Sequence, residues 1–423
     1  MRLLHTSDWH IGKALRNQSR RADHEAVLDE IVGLATDLVP DVIVHTGDVF
    51  DSSRPGVEDM RLAFDALHRL GGVAPVVVLA GNHDSSALFA LFETIVDPTS
   101  RVTFVPKVRR PRDGGIIDIP TTSGERVRLA PLPFVHSHRL VEFLEDPAGW
   151  AGDYRDGIRK IESMLGRGLA DGWNPATDVA IFAAHLHVGG AVLAHSERGP
   201  YVKAEYATEL DHLPPASYAA FGHIHKPQAL PGGTVTGRYA GSPIQLDFGE
   251  VGEAKTLVVV EATPGRPAKV TPVNLTAGRR LARFAGTIEA LAATAESYAN
   301  SLVSLVVRTD KPAVGLAEAV RAVLPPSAEI VELDEECAAR RTTVLSSADA
   351  VDINEEGFDD LLDQYLSERP LGSSNVTAVR STFTALLATV DAATPASFEI
   401  EARIADVLAG EMPVDGPSAE KGG

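Results

Sequence analysis

Apolar runs and amphipathic segments alternate along the first hundred residues. Strand-like apolar runs occur at "RLLHTSD", "PDVIVHTGD" and "APVVVLAGNHD". Two segments between them repeat apolar residues at helical spacing: Val27, Ile31, Leu34 and Leu38 in the first, and Met60, Phe64 and Leu67 in the second. A third helix is predicted at "SSALFALFETIV". This alternation of strands and helices predicts an α/β fold built in layers.

The pattern continues with further strands and then changes character. Strands are predicted at "DVAIFAAH", "SYAAFGH" and "AKTLVVVE". Pro, Gly and Thr become frequent at "EATPGRPAK", so we expect a first domain at residues 1–262. Strand-like "SLVSLVVR", helix-like "AVGLAEAVRAVL" and the segment "PPSAEIVEL" then predict a small α+β domain at residues 263–345.

The C-terminal part shows two amphipathic helical patterns separated by "RPLGSSN", a stop and turn signal. The apolar positions are Phe358, Leu361, Leu362, Tyr365 and Leu366 in the first, and Val376, Val379, Phe383, Leu386, Leu387 and Val390 in the second. We expect a helical hairpin within residues 346–410, whose apolar face packs on its own protein or docks on another chain. Residues 411–423 are predicted to be a disordered tail.

Charge and composition narrow the possible binding partners and the cellular compartment of the chain. The formal net charge is −19, and residues 263–423 carry 14 Lys and Arg against 24 Asp and Glu. Such a balance argues against binding nucleic acid by bulk electrostatics alone. Cys337 is the single cysteine, which excludes an intramolecular disulfide and favours a reducing compartment. No apolar run approaches a membrane span and no signal peptide is evident, so a cytoplasmic location without a membrane partner is expected.

Polar residues follow the ends of the predicted strands. They are Asp8, His10, Asp48, Asp51, Asn82, His83, Asp84, His185, His223 and His225. The carboxyl ends of parallel strands meet at one edge of a sheet, where ligand sites form. Carboxylate, imidazole and amide groups without thiolates suit Mn²⁺, Mg²⁺ or Fe²⁺. The ligands are too many for one ion, so two ions sharing the Asp48 carboxylate are predicted.

The remaining histidines have simpler interpretations. His5 and His45 lie within strand runs and are interpreted as core residues, and His24 and His68 as helix residues. Four others lie in loop-like segments and are interpreted as structural: His136, His138, His195 and His212. His187, two residues after His185, is expected to be a neighbour of the metal site.

Four motifs, "DWH", "GDVFD", "GNHD" and "GHIH", resemble those of the calcineurin-like metallophosphoesterases. The segments "LLHTSDWHIGK", "GDVFDSSRP", "YAAFGHIHKPQ" and "YAGSPIQLDFGE" are most similar to a branch of this family formed by bacterial DNA-repair nucleases. The resemblance covers most of residues 1–262. It implies a layered β-sandwich flanked by helices, with a small α+β capping domain and a C-terminal helical hairpin.

The resemblance also implies a role for each site residue. Asp8, His10 and His225 would hold the first metal ion, Asn82, His185 and His223 the second, and Asp48 would bridge them. His83 would assist catalysis without binding metal, and Asp84 would orient His83. Asp51 and Arg54 are expected to contact substrate, as is His187, which stands where a small or hydroxyl-bearing residue is typical.

The implied activity is that of a manganese-dependent DNA nuclease, a double-strand 3′-5′ exonuclease and single-strand or hairpin endonuclease. The implied partner is an SMC-like ATPase bound through helices at residues 357–392, with a homodimer of nuclease chains in a heterotetramer. The chain has no GxxxxGK[ST] motif, so it is expected to bind no nucleotide itself.

Two other functions remain open at this point. One is a phosphodiesterase for a small or cyclic nucleotide, although such an enzyme needs neither the hairpin nor the length beyond residue 262. The other is a non-catalytic scaffold with a decayed site, which the complete ligand set argues against.

Overall fold

A computed structural model describes residues 1–137, 154–194, 196–197, 206–233 and 235–339, and the single positions 362, 366, 379 and 380. The chain divides into two compact units, Met1–Cys337 and Ala338–Gly423. Apart from those single positions, the helical region expected at 346–410, with its partner-binding segment 357–392, lies outside the described residues, as does the tail expected at 411–423.

The strands and helices with described bounds lie in the first unit. The strands in chain order are β1 Arg2–Thr6, β2 Ala14–Leu15, β3 Gln18–Ser19, β4 Val42–His45, β5 Val76–Leu79, β6 Val102–Val105, β7 Ile117–Pro120, β8 Arg126–Leu132, β9 Asp178–His185, β10 Tyr218–Gly222, β11 Gln228–Ala229, β12 Gly237–Tyr239, β13 Lys255–Glu261, β14 Lys269–Leu275, β15 Arg280–Gly286, β16 Ser301–Thr309 and β17 Glu329–Cys337. The α-helices are α1 Arg21–Leu38, α2 Val57–Val73, α3 Ser86–Ile95, α4 Tyr154–Ala170, α5 Ile288–Thr294 and α6 Leu316–Val323.

Two six-stranded sheets form the body of this unit. The first has the order β14-β13-β1-β4-β5-β6, and the second has the order β11-β12-β10-β9-β8-β7. In the first sheet β1, β4, β5 and β6 are parallel, and in the second β8, β9, β10 and β12 are parallel. Strands β2 and β3 form a separate short hairpin. Each large sheet therefore has a run of parallel strands whose carboxyl ends share one edge.

The two sheets pack face to face and are covered by helices outside. Val42 and Val44 of β4 share one buried cluster with Val179 and Ile181 of β9, which places that cluster between the sheets. Ile43, on the other face of β4, packs instead with residues of α1, α2 and α3. Alternate side chains of a strand point to opposite faces, so both faces of this sheet are buried. Helix α4 covers the outer face of the second sheet in the same way.

A third, all-parallel sheet of order β15-β16-β17 completes the unit, with α5 and α6 packed on it around Leu291, Val303 and Val320. The boundary expected at residue 262 falls between β13 and β14, which pair along their whole length in the first sheet. That sheet therefore extends to Leu275, and the small sheet begins at Arg280. None of the described helices combines the length and apolar character needed to cross a bilayer.

Candidate metal centre

The parallel strands bring the site residues together at one edge of the sandwich. Asp8 and His10 follow β1, Asp48 follows β4, and Asn82 follows β5 in the first sheet. In the second sheet His185 ends β9, and His223 and His225 follow β10. The loops interlock, because the amide of Asp8 donates to the carbonyl of Gly47 at 2.9 Å and that of His10 to the carbonyl of Asp48 at 3.0 Å. The site is thus assembled from both sheets.

Four of these residues have left-handed backbone conformations. The φ angles are 51° at Asp8, 47° at His10, 56° at Asp48 and 96° at His223. Non-glycine residues rarely adopt positive φ, and such strain is concentrated at functional sites, where the surrounding structure holds it in place. Gly81 also allows a close approach, since a Cβ there would collide with Asp48. The backbone is therefore shaped around the Asp48 carboxylate.

The first cluster consists of Asp8, His10, Asp48 and His225, all of them buried, with ligand atoms within 4.8 Å of one another. Nε2 of His10 lies 3.0 Å from Nε2 of His225. On the far side of the His10 ring, Nδ1 lies 3.3 Å from Oδ1 of Asp51. The carboxylate there favours a proton on Nδ1, which leaves Nε2 of the neutral ring as an acceptor.

The second cluster consists of Asn82, His185 and His223. Oδ1 of Asn82 lies 2.9 Å from Nε2 of His185 and 2.8 Å from Nδ1 of His223. Nδ1 of His185 lies 2.7 Å from the carbonyl oxygen of Thr46, so this nitrogen carries the proton. In the neutral ring Nε2 of His185 is then an acceptor that faces a second acceptor, the amide oxygen of Asn82.

Asp48 lies between the two clusters. Its Oδ2 is 3.5 Å from Nε2 of His10 and 3.4 Å from Nε2 of His185. Its Oδ1 accepts the backbone N–H of His83 at 2.8 Å, which fixes the rotation of the carboxylate. One carboxylate oxygen therefore faces an imidazole nitrogen of each cluster, which is the arrangement that a bridging ligand requires.

The electrostatics of the centre favour a positive charge. Burial alone would raise the pKa of Asp48, but the adjacent His185 imidazole holds that pKa well below its usual range. Burial alone would lower the pKa of His185, but the charge of Asp48 raises it to about 9. Burial, together with the charge of His10, keeps the pKa of His225 well below its usual range. The carboxylates thus stabilise a cation between the rings.

The residues present fit divalent metal ions. At both clusters two acceptor atoms face each other at hydrogen-bond distance, an arrangement that is stable only with a cation between them, either a proton or a metal ion. Two ligands bound at about 2.1 Å and at a right angle around one ion are about 3 Å apart, which matches the spacing of His10 and His225. Oxygen and imidazole donors without thiolate suit hard to borderline ions.

Comparisons with known proteins agree with this centre. The sequence profile of the calcineurin-like phosphoesterases matches residues 1–227. The SbcD component of nuclease SbcCD from Bacillus subtilis (strain 168) is 34% identical over 292 residues, covering 67% of this chain and 72% of that protein. The Escherichia coli (strain K12) protein of the same name is 28% identical over 417 residues, covering 92% and 98%. The chain belongs to the SbcD branch of the calcineurin-like phosphoesterase family.

SbcD membership, together with the phosphoesterase domain, makes the chain a nuclease and a hydrolase of phosphodiester bonds. It also accounts for the layered α/β architecture. A solved dimetal phosphatase from Danio rerio covers 66% of this chain and 99% of its own length, with a TM-score of 0.39 and 10% identity, which is too distant a likeness to carry an argument.

His83 and Asp84 have different surroundings from those expected. Nδ1 of His83 lies 2.9 Å from the backbone carbonyl of Asp51, and the ring packs edge-on against His10 with centroids 4.8 Å apart. The Asp84 carboxylate instead accepts the backbone N–H groups of Val49 at 3.2 Å, Phe50 at 3.0 Å and Gly81 at 2.9 Å.

The expectation that Asp84 orients His83 is therefore wrong. The backbone carbonyl of Asp51 orients His83 instead. The Asp84 carboxylate connects the loop after β4 to the loop after β5 by hydrogen bonds. Burial and the nearby charge of Asp48 raise the pKa of Asp84 to about 7, against the effect of its three backbone donors.

The three expected substrate residues lie at different depths. Asp51 is half-buried and contacts His10 and Nζ of Lys13, the latter at 3.1 Å. Arg54 is exposed, and its backbone N–H donates to Oγ of Ser52 at 3.2 Å. His187 is buried and lines a cavity of about 330 Å³ together with Arg155.

The histidines assigned to the core are buried there. Nδ1 and Nε2 of His5 lie 2.9 Å from the hydroxyl groups of Tyr218 and Thr46, and burial lowers the pKa of His5 to about 3. His45 is also fully buried, with a pKa lowered by burial to about 3. His24 of α1 contacts the carbonyls of Arg20 and Trp9, so His5 and His45 lie in the core and His24 in a helix, as expected.

Sequence reasoning missed the groups behind His225. Nδ1 of His225 lies 2.6 Å from Oγ of Ser196, which donates to Oε1 of Glu250. Its backbone N–H donates to Oε1 of Glu197 at 2.5 Å. Glu250 closes the segment "YAGSPIQLDFGE" that carried the family resemblance, which was the one available signal. Ser196 and Glu197 lie in a loop without any recognisable motif.

Proposed function

We propose that the chain is the nuclease component of a DNA-processing complex with an SMC-like ATPase of the SbcC type. Its activities would be double-strand 3′-5′ exonuclease and single-strand or hairpin endonuclease, used at DNA double-strand breaks and hairpins. The observation that carries the proposal is the pair of facing acceptor clusters joined by Asp48, in a chain of the SbcD branch. Each relative is named as one subunit of nuclease SbcCD, which supports a partner of the SbcC type.

Two divalent ions would occupy the centre, with Mn²⁺ foremost and Mg²⁺ or Fe²⁺ compatible with the same donors. Asp8, His10 and His225 would hold the first ion. Asn82, His185 and His223 would hold the second, and Asp48 would contact both. When bound, the ions supply a water nucleophile of lowered pKa and neutralise charge on the phosphate.

The residues of the chain itself would orient the substrate phosphate and supply a proton. Donation from Nδ1 to the carbonyl of Asp51 holds the His83 ring beside His10 and leaves Nε2 available to the substrate. As an imidazolium, His83 would stabilise charge on the phosphate oxygens or protonate the leaving oxygen. Burial of Asp8, Asp48 and His185 keeps bulk water from screening the charges around the phosphate.

The remaining parts of the chain would serve the complex. The module with β15, β16 and β17, in the region 263–345, would cap the nuclease domain 1–262. The helical region 346–410, through residues 357–392, would bind the ATPase, and residues 411–423 would form a tail. We place the complex in the cytoplasm as a heterotetramer with two nuclease chains. The net charge of −19 supports a division of labour in which the ATPase contributes much of the DNA binding.

The direct test is Mn²⁺-dependent cleavage of an end-labelled duplex and a hairpin by the full chain, with and without the ATPase and ATP. We expect shortening of the duplex from its 3′ ends and cutting of the hairpin loop, both abolished by a chelator. A parallel assay with cyclic nucleotides distinguishes the alternative phosphodiesterase. Brisk hydrolysis of a cyclic nucleotide without cleavage of DNA would overturn the proposal.

A further inference from the structure

A chain of polar groups, buried except for the half-buried Ser196, leads away from the outer side of His225. Nδ1 of His225 contacts Oγ of Ser196 at 2.6 Å, and Oγ of Ser196 contacts Oε1 of Glu250. The other oxygen of Glu250 forms an ion pair with Nζ of Lys255 at 2.6 Å and accepts the backbone N–H of Leu246 at 3.1 Å. Glu250 is fully buried and Lys255 is 4% exposed, so water does not compete for the contacts of the Glu250 carboxylate with Lys255 and Leu246.

The chemistry of these groups fixes the direction of the hydrogen bonds. Glu250 forms an ion pair with Nζ of Lys255 at 2.6 Å and acts as an acceptor, so the single hydroxyl proton of Ser196 is donated to Glu250. Oγ of Ser196 is then an acceptor toward His225, and Nδ1 of His225 must carry the proton. This tautomer leaves the lone pair of Nε2 directed at the first cluster, where Nε2 lies 3.0 Å from Nε2 of His10.

We propose that Ser196 and Glu250 are positioning residues that hold His225 as the Nδ1–H tautomer, with Nε2 ready to bind the first metal ion. This inference rests on the metal centre of the proposed function. A hydrogen bond on the far nitrogen fixes the orientation of a metal-binding imidazole and raises its basicity. Here a hydroxyl relays the effect of a buried, ion-paired carboxylate that lies 4.0 Å from the ring nitrogen.

The position of Glu250 is itself secured by the third sheet. Glu250 ends a short 3-10 helix, Phe248–Glu250, and its carbonyl accepts from Nε2 of Gln245 at 2.9 Å. Oε1 of Gln245 accepts from the backbone N–H of Leu281 in β15 at 2.7 Å. Phe248 packs in one buried cluster with Leu281. The metal ligand His225 is thereby linked to the module that follows the nuclease sandwich.

The test is calorimetric titration of Mn²⁺ into the metal-free full-length chain and four variants. Ser196→Ala removes the relay hydroxyl but leaves the ion pair between Glu250 and Lys255, and Ser196→Thr restores the hydroxyl. Glu250→Gln removes the charge at the end of the relay. Glu253→Gln is the matched control, since Glu253 also pairs with Lys255, at 3.3 Å, from a more exposed position. Thermal unfolding of each variant checks that it is folded.

We expect Ser196→Ala and Glu250→Gln to weaken one of the two Mn²⁺ sites by about 10–100-fold. Ser196→Thr and Glu253→Gln should stay within about twofold of the wild type, a pattern that loss of packing at Ser196 would not produce. Wild-type affinity in Ser196→Ala, or a Ser196→Thr variant as weak as Ser196→Ala, would overturn the relay; if Glu250→Gln does not fold, the two Ser196 variants decide.

The readout is binding, so failure of the relay and failure of the proposed function give different results. If the variants show the expected losses of Mn²⁺ affinity but the wild type does not cleave DNA, only the nuclease assignment is refuted. A wild type that binds no Mn²⁺ would refute the metal centre and the relay together.

Discussion

Nε2 of His10 and Nε2 of His225 lie 3.0 Å apart, although the groups behind both rings favour a proton on the opposite nitrogen. Two lone pairs at this distance repel each other unless a cation lies between them. The carboxylates of Asp51, Asp48 and Asp8 raise the pKa of His10 against the effect of burial, whereas burial and then the charge of His10 hold the pKa of His225 well below its usual range, so the two rings together hold one cation. The pair is thus prepared for a metal ion.

A first prediction concerns the effect of metal on stability. Saturating Mn²⁺ should raise the Tm of the full chain, because a ligand that binds only the folded state at 100 times its Kd adds about 2.7 kcal/mol per site. Differential scanning fluorimetry with a Mn²⁺ series measures the rise. His225→Ala should show a clearly smaller rise, whereas His68→Ala, on the exposed side of α2, should behave as the wild type. Equal rises in both variants would contradict the assignment.

A second prediction separates catalysis from metal binding. His83→Ala should lower kcat for DNA cleavage by about 10²–10⁴-fold, which is the usual contribution of a general acid. Mn²⁺ affinity should remain unchanged, because the His83 ring is held by the carbonyl of Asp51 and the first cluster of Asp8, His10, Asp48 and His225 is complete without it. Single-turnover kinetics and Mn²⁺ titration measure the two quantities. If His83→Ala instead lost much of its Mn²⁺ affinity but kept the wild-type single-turnover rate at saturating Mn²⁺, His83 would be a metal ligand.

A third prediction follows from the corrected role of Asp84. Asn offers one acceptor oxygen where Asp84 uses two, so Asp84→Asn leaves a buried backbone N–H unpaired, at a cost of about 1–3 kcal/mol. The loss should appear as a lower denaturant midpoint. Asp65→Asn, an exposed change on α2, should cost less than about 0.5 kcal/mol. If Asp84→Asn lowered kcat alone and left stability unchanged, the structural role would be wrong.

A fourth prediction concerns pH and a carboxyl group outside the metal centre. Burial raises the pKa of Glu162 to about 8, despite its hydrogen bonds with Oγ1 of Thr208 at 2.8 and 3.0 Å. In the unfolded chain this carboxyl ionises near its ordinary pKa of 4.5, so folding holds a proton that the unfolded state releases. The contribution of the neutral group is complete below that value and is lost as pH rises toward 8.

Glu162→Gln keeps the shape and removes the titration. The variant and the wild type should have similar stability at about pH 4.5, and the variant should become more stable by on the order of 4 kcal/mol near pH 8, because each pH unit between the two pKa values changes stability by about 1.4 kcal/mol. Denaturant unfolding across this range measures the difference. A difference that does not change with pH would show that Glu162 is not neutral in the folded chain.

The sequence predicted the parts of this site that follow from strand polarity. Asp8, Asp48 and His185 were placed at the carboxyl ends of parallel strands because strand and helix alternate in the chain, and the structure puts them there. The same reasoning excludes His5 and His45 from the predicted metal ligands, because they lie within strands rather than after them. Local pattern was sufficient wherever one strand decided the position of a residue.

The remainder depends on contacts between distant segments. The positive φ of Asp8 and His10 arises because their amides bond to the loop after β4, which no local propensity encodes. Ser196 and Glu250 come from segments on either side of His225 in the chain and meet it only in the folded structure. The extension of the first sheet to Leu275 was obscured because the Pro- and Gly-rich turn between β13 and β14 has the composition of a linker.

The central claim is that two ions share the carboxylate of Asp48, and the number of Mn²⁺ ions bound per chain tests it most directly. Calorimetric titration of the metal-free wild type should give two ions per chain. Asp48→Asn, which replaces a charged bridging oxygen with a neutral amide, should weaken both sites together by at least about tenfold. Binding of a single ion by the wild type, or two undisturbed sites in Asp48→Asn, would contradict the two-metal centre.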